Sequence, residues 1–167
     1  MTVLELYASF ELTGFSTAVR ELWWVFPTIL VFHSLSMGLM AGIGIVCALR
    51  ALGFARQIPI AMFSKFQPLL WVGLGIAGAS GLLLLAGYPA KALTNPLFFI
   101  KMLMLAGAIW LTVRMTSTAP RLSSQSPSPA RLPALLTIGL WLGVIASGRF
   151  LAYTHTVLLA SWLVVGG

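Results

Sequence analysis

The sequence predicts an all-α, integral membrane, antiparallel four-helix bundle with an interfacial amphipathic helix at its N-terminus. Three observations carry that class. Hydrophobic residues fill 59% of the 167 positions and charged ones only 8%, where soluble domains carry about 25% charged residues. That leaves too few polar side chains to cover a surface facing water. The apolar residues also gather into four stretches, each near the roughly 20 residues that a bilayer-crossing helix needs. Finally, the three acids, Glu5, Glu11 and Glu21, all precede the first of these stretches.

Residues 1–21, "MTVLELYASFELTGFSTAVRE", do not read as a cleavable signal, which would begin basic and then turn apolar. They form a separate N-terminal segment, an interfacial amphipathic helix or a helix and turn. Leu4, Leu6, Tyr7, Phe10 and Leu12 are expected against the bilayer with the glutamates toward water. The membrane domain, 22–167, follows. Its first span, about 22–49, opens with "LWWVFP" and ends at Arg50. Trp23 and Trp24 suit the headgroup level, and Pro27 falls in the first turns, where it costs least. The second, about 68–88, contains "GLGIAGASG", small residues that let helix backbones approach closely. The third, about 96–113, starts at "TNP", an N-cap followed by proline at the first helical position. The fourth covers about 133–165. Between the last two lies "STAPRLSSQSPSPARLP", a Ser/Pro-rich linker with no chemistry of its own.

Charge orients the bundle. Arg50, Arg56 and Lys65 follow the first span, and Arg114, Arg121 and Arg131 follow the third; the opposite side has Arg20 and Lys91 against the glutamates. The positive-inside rule puts both termini on the outer, periplasmic side of a bacterial inner membrane. The net charge of +7 is spread over single residues rather than a stripe, which argues against nucleic acid. Cys47 is the only cysteine, so an internal disulfide is excluded. The lack of any carboxylate beyond Glu21 argues against a nucleophile–base–carboxylate hydrolase.

Four residues stand out inside or near the spans: His33, Lys101, Arg149 and His155. Ionisable groups at membrane depth are expensive and biased toward function. His33 lies about 11 residues from the outer end of its span and His155 about 10 from the outer end of the fourth, which places them at similar depth. Lys101 is about five residues into the third span. Arg149 reads as deeper, and there a partner or a water-filled cavity is expected. The plain alternatives are a His33 ring hydrogen-bonded to a neighbouring helix, an interfacial His155, and a Lys101 that snorkels outward. His33, Met37 and Met40 share a helix face, as do Arg149 and Tyr153. His155, six residues past Arg149, is turned about 120° from it.

"TAVRELWWVFPTILVFHSLSMGLMAG", "NPLFFIKMLMLAGA" and "WLGVIASGRFLAY", in that order, resemble a family of small four-span bacterial membrane proteins of unassigned function. More distantly, the first-span histidine and third-span lysine are similar to those of the membrane domain of CopD-type copper-resistance proteins and of HemJ-type protoporphyrinogen oxidases, the latter four-helix proteins that bind a b-type haem. The resemblance marks His33, Lys101, Arg149 and Tyr153 but not His155. The chain lacks the fuller set of histidines and charges of the HemJ-type enzymes.

Three functions compete. The first is a membrane b-type haem or quinone-linked electron-transfer subunit. Neutral imidazole is a good axial ligand, so His33 would ligate iron, with His155 as the second ligand. Lys101 and Arg149 would pair with propionates, and Tyr153 would offer a hydroxyl. The second is an accessory subunit held to a membrane-protein partner or to copies of itself. The third is copper handling through His33, Met37 and Met40, with Met102 and Met104 nearby, since imidazole and thioether suit Cu(I). A redox or accessory subunit is expected over a self-sufficient enzyme.

Overall fold

The computed structural model describes residues 2–118 and 131–154, and beyond them residues 159, 160 and 163. These residues form an all-helical bundle with no strand among them. Two short helices come first, α1 (Val3–Glu11) and α2 (Gly14–Glu21). A capping box starts α1: the Thr2 hydroxyl accepts from the Glu5 amide at 3.3 Å, and the Glu5 carboxylate accepts from the Thr2 amide at 2.8 Å. Thr13 caps α2 in the same manner, accepting from the Ser16 amide at 3.3 Å.

The long helix α3 (Val25–Ala51) ends in a Schellman turn. Gly53, at φ +104°, lets the Phe54 amide reach back to the Leu49 carbonyl at 3.1 Å. A short 3-10 stretch, Ile60–Phe66, then leads into α4 (Gln67–Gly87), with Pro68 in its first turn. Pro89 opens the short α5 (Pro89–Leu93). Asn95 starts α6 (Pro96–Thr118), its side-chain oxygen accepting from the Leu97 amide at 3.0 Å. Helix α7 (Arg131–Tyr153) follows.

Four helical stretches, Val25–Ala51, Met62–Gly87, Pro96–Ser117 and Arg131–Tyr153, are long and apolar enough to cross a bilayer. They pair antiparallel, α3 with α4 and α6 with α7, and α3 also lies along α7. The α4 and α6 helices scarcely meet. Helices α1, α2 and α5 gather at the end of the bundle where α3 begins and α4 finishes. Large apolar side chains such as Leu35, Leu82, Leu103 and Leu135 remain exposed along the spans, as a hydrocarbon surrounding requires.

The core is small and tightly fitted. Met40, Ala41, Ala77, Ala108 and Trp141 are its buried members. The indole of Trp141, fully enclosed, donates to the Thr112 hydroxyl at 3.0 Å and lies flush against Gly44. A β-carbon on Gly44 would meet Trp141 Cδ1 at 2.7 Å and Thr112 Oγ1 at 2.8 Å. Small residues therefore set the spacing of α3, α6 and α7, where water-driven burial is absent and packing alone holds helices together.

Several boundaries differ from the sequence reading. The second span begins at Met62, because the 3-10 stretch carries the apolar run back through the loop. The α6 helix continues to Thr118 rather than ending near 113; Thr112 and Thr116 bond to carbonyls four residues back, and Arg114 stacks 5.2 Å over Trp110. At the other end, α7 stops at Tyr153 instead of running toward 165. There the Thr154 hydroxyl accepts from the Asn95 amide group at 2.8 Å, and Lys91 donates to the Ala152 carbonyl at 3.1 Å. Burial holds the Lys91 amine below the usual lysine pKa. The N-terminal segment is two helices, and one of its glutamates does not face water. Glu11 is fully buried, because Ala8, three residues earlier on the same face, packs on Ala90 and Ala160.

Candidate functional site

His33 lies on α3 about eight residues past its first residue, roughly 12 Å along the axis. Its ring turns toward α4. Nδ1 is 3.2 Å from the Ala77 carbonyl oxygen and 3.1 Å from Ser80 Oγ. The carbonyl can only accept, so Nδ1 carries the hydrogen. Ser80 spends its own hydrogen on the Ile76 carbonyl at 2.6 Å, which leaves its oxygen free to accept from the ring as well. The neutral imidazole thus has its lone pair on Nε2, the arrangement that a metal-ligating histidine adopts when a backbone carbonyl orients it. Gly81 makes the fit possible: a β-carbon there would stand 3.3 Å from His33 Cε1.

Lys101 comes to the same place from α6. It is half-buried, and its ammonium acts electrostatically on His33. Nζ reaches across to α7, 3.7 Å from the point a β-carbon on Gly148 would occupy. Among the described residues, no acceptor holds the ammonium by a hydrogen bond or ion pair. No carboxylate of this chain lies within the four spans. Lys101 does not simply reach out to the bilayer surface; Gly148 opens a berth for it between helices.

The structure therefore brings together His33 and Lys101, from different helices. It does not bring Arg149 and Tyr153 to them. Those two share a face, as their spacing predicts, but both are exposed, Tyr153 at 74%. Arg149 is also shallower than the sequence reading placed it. Because α7 ends at Tyr153, Arg149 stands about 6 Å from the helix end, within easy reach of the bilayer surface. His155 lies outside the described residues. Of the thioether set, Met40 is fully enclosed by the hydrocarbon core and Met37 packs half-buried against it. On α6, Met102 is exposed, while Met104 lies against Gly143. Among the described residues no three His, Cys, Asp or Glu side chains converge.

Sequence reasoning missed the partners of His33. Ser80 and Gly81 sit in the stretch "GASG", where small size was legible but the hydroxyl's target was not. It also passed over Arg20 as a mere topology signal. Arg20 donates to Ser16 Oγ at 2.6 Å and to the carbonyls of Gly87 at 3.0 Å and Glu11 at 2.8 Å, tying α1, α2 and the end of α4 together.

These features define a four-helix protein of membrane-spanning character, with a histidine fixed against a neighbouring helix and a half-buried lysine within electrostatic range of it. No family model, curated protein or solved structure matches the chain.

Proposed function

We propose that the chain is a b-type haem-binding or quinone-linked electron-transfer subunit of a bacterial inner membrane, its termini on the periplasmic side, with His33 as the axial ligand. One observation carries this reading: Nδ1–H is committed to the Ala77 carbonyl, which fixes the ring and leaves Nε2 as the donor. The donor set fits the group. Imidazole is a standard axial ligand, and the Lys101 ammonium, held by no acceptor among the described residues, suits a propionate. Gly81 and Gly148 make room for the His33 ring and the Lys101 side chain themselves. Haem, when bound, supplies one-electron transfer; the chain's own residues hold and orient it and keep the site among apolar helices. His155 is the candidate second ligand, and a membrane quinone the candidate electron source.

Oxidised and reduced visible spectra of the purified protein test the reading. A Soret band that disappears in His33→Ala supports it; a colourless wild-type protein from haem-replete cells sinks it.

A second reading, an accessory subunit of a larger membrane complex, has one observation in its favour. Ser34, Gly38 and Gly42 line an exposed face of α3, and a β-carbon on either glycine would meet nothing within 4 Å. Such small-residue stripes allow close helix contact in lipid. Cysteine cross-linking at position 38 in native membranes tests it, with capture of a defined partner as the expected result.

A further inference from the structure

We infer that the groove between α1 and the end of α4 holds one acyl chain of a bilayer phospholipid, bound without selection for its headgroup. The groove encloses about 570 Å³, within the range of roughly 300–1,000 Å³ typical of ligand sites. Leu6, Tyr7 and Phe10 of α1 form one wall, Leu82 and Leu85 of α4 the other, with Leu93 at the rim. Its Ser9 and Thr13 hydroxyls are spent on their own helix, donating to the carbonyls of Leu6 at 2.9 Å and Phe10 at 2.7 Å. Among the described residues no charged side chain lines it, and the Tyr7 hydroxyl is the further polar group there. A lining this apolar favours hydrocarbon.

The occupant follows from continuity with the lipid-facing surface. Leu82 is 67% exposed on a bilayer-crossing helix, so the groove opens directly into the hydrocarbon. An acyl chain enters from the leaflet without crossing water. The two cations on the short helices beside the groove are both committed to backbone carbonyls, Arg20 to Gly87 and Glu11, and Lys91 to Ala152. Neither is left to select an anionic headgroup. The occupant also has a structural part. Leu6 and Phe10 keep 57% and 44% of their surface uncovered by protein, so a lipid chain completes the contact between α1 and α4.

The test uses the full chain in bilayers of phosphatidylglycerol and phosphatidylethanolamine at several ratios, released into detergent and weighed by native mass spectrometry. One retained phospholipid per chain is expected, its headgroup tracking the bilayer composition. Leu85→Trp and Leu93→Trp fill the groove from different sides and should each lower retention about tenfold, whereas Gly139→Ala, on an open face of α7, should not. Leu93 lies off the spanning helices, so its variant decides the matter if Leu85→Trp does not fold. No lipid retained by the wild type, retention of a single headgroup class, a quinone in place of phospholipid, or unchanged retention in the folded tryptophan variants overturns the inference.

Discussion

Gly44→Ala should be among the most damaging single-methyl additions in this chain. The new β-carbon would stand 2.7 Å from Trp141 Cδ1 and 2.8 Å from Thr112 Oγ1, both well inside van der Waals contact. Trp141 has no room to retreat, since it is fully buried among Met40, Ala41, Ala77 and Ala108. Overpacking of this kind costs about 1–3 kcal/mol. Displacing the indole also strains its bond to Thr112, worth about 0.6 kcal/mol on average between membrane helices. Against these stands a helix-propensity gain of about 1 kcal/mol for Gly to Ala. The net is a loss of about 0.6–2.6 kcal/mol, or a midpoint lower by roughly 1–10 °C for a chain of this size. Gly139→Ala is the internal control, because it gains the same propensity at a site with nothing within 4 Å. Thermal unfolding of both variants in one detergent gives the comparison. Equal midpoints for the two alanine variants would refute the packing argument.

Other expectations follow from the hydrogen bonds. Arg20→Ala removes three contacts and should cost about 1.5–3 kcal/mol; limited proteolysis near Leu22 should quicken, and Arg20→Lys should restore only part of the protection. Asn95→Ala should lower stability by about 0.5–2 kcal/mol, with Asn95→Asp falling between, because aspartate keeps the α6 cap but not the donor to Thr154. Nitrogen NMR of His33 in bilayers should show the hydrogen on Nδ1, and Ser80→Ala should preserve that tautomer through the Ala77 carbonyl. A hydrogen on Nε2 in the wild type would remove the basis for a ligating role. Gly81→Val should push the ring from its seat and change the His33 signals far more than Gly78→Val, which adds bulk in open space.

The fold was legible because bilayer thickness acts on sequence directly. It demands long apolar runs, and the described residues hold four. The starts were the sharpest features: "TNP" names both the Asn95 cap and Pro96 at the first turn. Ends were less legible, since they depend on tertiary bonds. Nothing local in "RFLAYTHT" says that Thr154 will accept from Asn95, fifty-nine residues earlier, and stop the helix at Tyr153. Arg149 moved from apparently deep to shallow through that one boundary. Glu11 was misread for a related reason: amphipathic patterning assumes two environments, water and lipid, whereas α1 has a third side, against Ala90 and Ala160.

The site shows where periodicity stops being informative. Spacing alone placed His33, Met37 and Met40 on one face, and that holds. It says nothing about which neighbour the face meets, and across about two turns the answer changes. Met40 enters the closed core beside Trp141, while His33, seven residues back, meets Ser80 and Gly81. The same limit applies to Lys101 and Arg149, which both stand near the same end of the bundle. Lys101 is drawn inward because Gly148 opens space for it, whereas Arg149, the next residue on α7, is turned about 100° away and meets no helix. A glycine on a neighbouring helix, not the depth of the cation in its own, decides which charge joins the histidine.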